Sequence, residues 1–153
     1  MGLLKKGKHF WKKILAGIFI LIAVAVFAIW YIFNLKFEDT TTQKSNYEVN
    51  GIGLLNEFIK DDSAANKKYT EKIITVTGQV SEVETADSTV NIKMADTLTD
   101  AYIIFAFQEK NIKDANLLKE GDEVSIKGSC SGGTYSQILE THYISFKRCI
   151  LIK

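Results

Sequence analysis

The sequence predicts an all-β domain with accessory helices, carried behind a single transmembrane helix. Three observations predict it. Residues 14–33 form one unbroken apolar run; short stretches after residue 72 alternate apolar and polar side chains; helical spacing is confined to residues 50–68 and 108–119.

The apolar run, ILAGIFILIAVAVFAIWYIF, holds no charged residue and no Asn, Gln, Ser, Thr or Pro. As a helix it measures roughly 30 Å, the thickness of a bilayer's hydrocarbon core. A helix of a soluble domain would carry a polar stripe. Residues 1–13 hold Lys5, Lys6, Lys8, Lys12 and Lys13, whereas only Lys36 follows closely on the other side, beside Glu38 and Asp39. That asymmetry predicts a cytoplasmic basic stub over 1–13 and an extracytoplasmic chain after the helix. Trp11 and Trp30–Tyr31 suit the two membrane interfaces. A cleaved signal peptide is the competing reading. The run is longer than the usual apolar region of about 7–15 residues, and bulky Trp30–Phe33 stands where a peptidase needs small residues. An uncleaved signal anchor over 14–33 is expected.

All 18 acidic residues follow residue 37, against 13 basic ones, so the exported part carries a net charge of −5. That balance disfavours a polyanionic partner, because nucleic-acid affinity rests on Lys and Arg. Residues 34–46, with three consecutive threonines, read as a polar linker. The domain is expected over 47–153, long enough for one core.

Asn50 caps an expected helix whose apolar face is Ile52, Leu55, Phe58 and Ile59, ending near Asp61–Asp62; Ser63–Lys68 add a further turn or two. Lys72–Val80 reads as the first strand, with Gly78 marking a bend. The apolar parity then slips between Val80 and Val83. Val90, Ile92 and Met94 alternate along the second strand, and Ile103, Phe105 and Phe107 along the third. Gln108–Lys119 reads as a helix ended by Gly121. Val124–Cys130 is the fourth strand, Ser131–Thr134 a turn, and Ile144–Ile152 the fifth strand. In that fifth strand Ile144, Phe146, Ile150 and Ile152 share one face with Arg148, leaving Cys149 on the other unless a bulge intervenes.

A helix, three strands, a helix and two strands is the order of the OB-fold, a five-stranded Greek-key barrel. Cys130 and Cys149, an even pair in an oxidising compartment, are expected to form a disulfide closing a loop of about 20 residues, worth roughly 3 kcal/mol.

The stretch from Tyr47 through Leu54-Leu55-x-Glu57-Phe58, Ala64-Ala65-Asn66-x-Lys68-Tyr69 and Val76-Thr77-Gly78 resembles the opening of the tRNA-anti-like OB domains of exported Bacteroidetes-type proteins. Lys119-x-Gly121-Asp122-x-Val124 and Gly128-x-Cys130-x-Gly132 continue the resemblance to the C-terminus. It implies an OB-fold and export to the bacterial envelope, with no defined ligand. Two departures stand out. Many members look like lipoproteins, whereas this chain has a membrane anchor. Gly133–Tyr143 is longer than the usual link between the last two strands.

Asn91, Lys93 and Tyr102 on the second and third strands, with Tyr135 and Tyr143, form the candidate ligand-binding set, since OB domains stack ligands on aromatic residues there. Cys130, His142 and Cys149 lack paired metal-ligand spacing, so neither a metal nor a cofactor is expected. Gly51-x-Gly53 lacks a preceding strand and a third glycine, so it is no dinucleotide site. No nucleophile elbow is present. The expected function is a non-enzymatic, membrane-tethered binding module for a protein, peptide or glycan at the inner membrane's periplasmic face. A nucleic-acid binder is the runner-up, and a hydrolase using His142 a third class.

Overall fold

The computed structural model describes residues 7–34, 40–86, 88–108 and 111–152. The stub lysines Lys5 and Lys6, linker residues 35–39 and the helical expectation at Glu109–Lys110 lie outside these. Two compact units result, Met1–Glu38 and Asp39–Lys153.

The first unit holds helix α1 (Gly7–Asn34). Within it Trp11–Phe33 is long and apolar enough to cross a membrane, with none of its side chains buried by protein.

The second unit is mostly β. It comprises β1 (Tyr47–Asn50), α2 (Gly51–Lys60), α3 (Asp62–Tyr69), β2 (Ile73–Gln79), β3 (Glu82–Ala86), β4 (Thr89–Ala95), β5 (Tyr102–Gln108), α4 (Ile112–Ala115), β6 (Glu123–Ser136) and β7 (Thr141–Ile152). One sheet runs β1-β2-β6-β7-β5-β4-β3, with β1/β2 and β5/β7 parallel and the other pairs antiparallel.

Seven segments stand where five strands were expected, for two physical reasons. The first expected strand is broken at Val80–Ser81, the point of the parity slip. Val80 donates its N–H to Asp122 beside β6, while Ser81 donates to Lys93 of β4, both at 2.8 Å. One continuous chain thus pairs β6 with its first half and β4 with its second. Gly78 itself stays in register with Val124 and does not bend the strand; a Cβ there would press on Met94 Sδ at 3.0 Å. The other addition is β1, four residues too short to show an alternation signal.

Inside this ring lie Ile74, Val76, Ile92, Ile103, Phe105, Phe107, Ile126, Ile144 and Phe146, all at most 2 % exposed. Helix α2 covers one end. Asn50 caps it by accepting from the N–H groups of Ile52 and Gly53. Its buried face is Gly51, Leu54, Leu55 and Phe58, so Leu54 takes the core position expected of Ile52, which is 54 % exposed. Asp61 ends α2 and caps α3 through Ala64 N–H at 2.9 Å. Glu57 ties the two helices together, accepting from Tyr69 Oη at 3.0 Å and Lys68 Nζ at 2.9 Å. The Lys68 hydrogen bond holds the Glu57 carboxyl below its ordinary range.

The second expected helix shrinks to Ile112–Ala115, since Leu117 is 75 % exposed and offers no second buried turn. Gly121 does not end it. It sits at φ +94° in the turn before β6 and donates to Val80 O at 2.8 Å. Ser131–Thr134 is strand rather than turn. β6 and β7 continue to Ser136 and Thr141, so the long expected link is an extended hairpin whose turn is residues 137–140.

Part of the polar linker is also not a free tether. From Thr40 it lies on the outer side of β2 and β6. Lys127, 9 % exposed, donates from Nζ to Gln43 O at 2.9 Å and Thr41 O at 3.3 Å. Ser45 and Thr75 hydroxyls meet at 2.6 Å, and Asn46 exchanges two hydrogen bonds with Ile73. Lys127→Met removes those donors while keeping the aliphatic bulk. It is expected to raise amide exchange across residues 41–46 at least tenfold and to lower stability by about 1–3 kcal/mol. Unchanged exchange there, read by mass spectrometry, would contradict the assigned role.

Candidate binding face

Along β4 and β5, alternate residues point away from the core, because successive Cβ atoms alternate across a strand. Register then decides which of them meet. Asn91 opposes Ala106 and Glu84; Lys93 opposes Ile104 and Glu82; Tyr102 opposes Ala95 on one side and Tyr143 on the other. Beyond Tyr143 the row continues to Thr134 of β6. Four of the five sequence-predicted residues, Asn91, Lys93, Tyr102 and Tyr143, therefore share one face.

The fifth does not. Tyr135 pairs with His142, one position on from Tyr143, and so shares the side of Ile144 and the core. The two rings meet edge to face at 5.0 Å. A one-residue step along a strand reverses the face, which separates Tyr135 from the set.

The electrostatics of the face centre on Lys93. It donates to Glu84 at 2.5 Å and to Glu82 at 2.9 Å. Those hydrogen bonds, Glu84 first, hold the ammonium above its ordinary pKa. Glu82 and Glu84 were missed as site residues, although their alternation just beyond the parity slip is visible in the sequence. The Lys93 ammonium also stands 5.8 Å from the Tyr102 ring centroid. Tyr102 and Tyr143 stack at 6.0 Å with an 18° interplanar angle. Tyr102 is thus flanked on one side by a cation and on the other by an aromatic ring. On its other side Tyr143 neighbours Thr134 of β6. Lys147, further along β7, is held by Glu71 at 3.0 Å.

The expected disulfide is corrected. Cys130 and Cys149 are both free and buried. Cys130 pairs with Phe146, and a bulge at Arg148 (φ 54°) lies between there and the Lys127–Ile150 pair. The bulge turns Cys149 inward against Gly128, where a Cβ would lie 2.7 Å from its Sγ. Cys130 is two residues further along β6, roughly 7 Å before the inter-strand gap is added. A disulfide needs Cα atoms about 4.4–6.8 Å apart. Burial raises both thiols, Cys130 to about 11. Two aspartates hold the turns they sit in. Asp96 accepts from Leu98 N–H at 3.0 Å and Thr99 Oγ1 at 2.8 Å, and Asp122 from Lys119 N–H at 2.8 Å.

The tRNA_anti-like family model matches residues 5–141. The chain belongs to the tRNA_anti-like family. The match takes in the apolar helix and stops at the start of β7, whereas the sequence resemblance was expected from Tyr47 to the C-terminus. Among solved structures, a Klebsiella pneumoniae lipoprotein with a provisional nucleic-acid-binding assignment shares the fold at 19 % identity and a TM-score of 0.55, covering 77 % of this chain and 99 % of that one. An OBody bound to hen egg-white lysozyme aligns at 16 % identity and a TM-score of 0.43, covering 56 % of this chain and 86 % of its own. Asparaginyl-tRNA synthetase of Pyrococcus horikoshii aligns at 12 % identity and 0.38, covering 56 % of this chain and 20 % of its own. No curated protein matches the sequence.

Proposed function

We propose that this tRNA_anti-like chain is a membrane-anchored, extracytoplasmic OB-fold module that binds a protein, peptide or glycan of the bacterial envelope and catalyses no reaction. β2 and β3 together supply the bent first OB strand, β4 and β5 the second and third, and β6 and β7 the fourth and fifth, with α4 between the third and fourth. β1 is an addition to that plan. The apolar helix and the lysine asymmetry around it support an uncleaved anchor with the domain in the periplasm.

One observation carries the choice of partner class. The outer face offers a stacked tyrosine pair, but Lys93 beside it is bracketed by Glu82 and Glu84. A phosphate backbone would meet two carboxylates there rather than an open cation. Nucleic acid remains the second reading, on the provisional assignment of the Klebsiella lipoprotein and on the aromatic pair.

Two measurements on the full chain in detergent micelles separate the readings. A partner recovered from envelope extract by wild type and lost with Tyr143→Ala supports the proposal. Salt-dependent anisotropy of a labelled oligonucleotide, abolished by the same substitution, supports the second reading instead. For orientation, a reporter fused after Lys153 is expected to be active only outside the cytoplasm, and cytoplasmic activity would reverse the topology.

A further inference from the structure

We propose that the open edge of β3 takes an extended segment of a partner protein, basic at every second residue, which adds to the sheet as a further strand. The inference rests on the reading of the domain as a binding module for an envelope protein or peptide, and it names the chemistry of the segment bound. β3 ends the strand order and pairs only with β4. About half of its N–H and C=O groups therefore point away from any strand. Such a row is a template for another chain.

The fold leaves this edge open. Every β3 residue but Val83 is exposed, and Val83 packs on the core. The register with β4 runs unbroken from Glu82–Lys93 to Ala86–Thr89, so no bulge twists the edge away, and the chain has no proline to block it. Apart from β4, no element hydrogen-bonds to the backbone of residues 82–86 among the described residues. The other end of the sheet differs. The Tyr47 ring of β1 lies against Tyr69, and the chain runs from β1 directly into α2.

The side chains choose the occupant. Glu82 and Glu84 stand at alternate positions, hence on one face, with side chains 54 % and 44 % exposed. Both bond the single ammonium of Lys93, so the edge keeps an excess of negative charge. A second copy of β3 laid against this edge would bring carboxylate against carboxylate, which is destabilising between opposed residues. Charge on an edge thus guards against self-pairing, but the guard depends on sign. A strand with Lys or Arg at every second position sets its cations beside Glu82 and Glu84. β-Branched residues between them extend the row of Val83 and Thr85. The net charge of −5 carried after residue 37 draws a partner of the same basic kind.

The test is an amide-shift titration of the full chain in zwitterionic micelles with the end-capped peptide Lys-Val-Lys-Val-Lys. Its backbone N-methylated form and Glu-Val-Glu-Val-Glu are the controls, at matched ionic strength. Saturable shifts at residues 82–86 are expected with the lysine peptide alone, with amide exchange in β3 slowed at least about tenfold. Glu82→Gln combined with Glu84→Gln is expected to weaken that peptide about fivefold, the scale of two cross-strand charge pairs. Equal binding of either control, no saturable shift at 82–86, or an affinity unaltered by the double substitution would each overturn the proposal. So would β3 protection that needs no peptide and grows with protein concentration, the sign of a second copy. The Tyr143→Ala recovery experiment reads the outer face and not these amides, so the two readings fail separately.

Discussion

Iodoacetamide at pH 7.5 is expected to leave Cys130 and Cys149 unmodified in the native chain and to alkylate both once denaturant unfolds the domain. The thiolate is the reactive species. Burial raises the Cys130 thiol to about 11 and pushes Cys149 up as well. An unfolded thiol ionises near about 8.5. At pH 7.5 the native thiolate fraction is lower by more than about a hundredfold from the pKa shift alone, before access is considered. The same shift sets a stability trend. The folded state holds these protons more tightly than the unfolded chain. The contribution is complete below about pH 8.5 and is lost as pH rises toward 11. Mass spectrometry under non-reducing, denaturing conditions reads the outcome directly. One intramolecular disulfide and no alkylated thiol would restore the bridge that the register argues against.

The thiols illustrate how far the sequence carries. Two cysteines in an exported domain are a sound compositional reason for a bridge, but the bridge depends on inter-strand register. The register sets Cys130 opposite Phe146, three residues before Cys149, and the extra residue at Arg148 turns Cys149 against Gly128. The same dependence governs the binding face. Alternation alone places Asn91, Lys93 and Tyr102 together, because β4 and β5 are adjacent in the chain. Tyr143 joins only through the parallel pairing of β5 with β7, a contact between distant segments, and Tyr135 is lost to the opposite side by one step of the β6–β7 pairing. Gly132 and Gly133 were misread for a related reason. Adjacent glycines signal a turn locally, yet here they admit other elements. A Cβ on Gly132 would lie 2.6 Å from Asn66 Oδ1, and one on Gly133 would lie 2.7 Å from the Phe58 ring. Asn66 in turn clamps the Gly133 peptide, donating from Nδ2 to its carbonyl at 2.7 Å and accepting from its N–H at 3.0 Å. Several residues that carry the family resemblance, Phe58, Asn66 and Gly132 among them, therefore secure helices to the hairpin. That accounts for a resemblance that reports fold while remaining silent on ligand.

Phe58→Ala is expected to destabilise the domain by about 3–5 kcal/mol, the range for removing a buried aromatic ring. Phe58 is 1 % exposed. Its ring stacks on Tyr69 at 6.2 Å and fills the space above Gly133 that any side chain on β6 would take. Leu54 and Leu55 bury the same helix face, but Phe58 is the contact that joins α2, α3 and the extended hairpin at one point. Truncation leaves a cavity that the helix cannot collapse into, because Glu57 and Asn66 still hold α3 against its neighbours. Domains of this size are commonly stable by about 5–15 kcal/mol, so the variant is expected to lose a large part of its margin. Ile52→Ala, on the exposed side of the same helix, is the matched comparison and is expected to stay within about 0.5 kcal/mol of wild type. Urea unfolding of the full chain in micelles, followed by tyrosine near-ultraviolet circular dichroism, reports mainly on the domain because five of the chain's six tyrosines lie in it. Equal midpoints for the two variants would show that α2 is not a plug of the ring but an appendage to it.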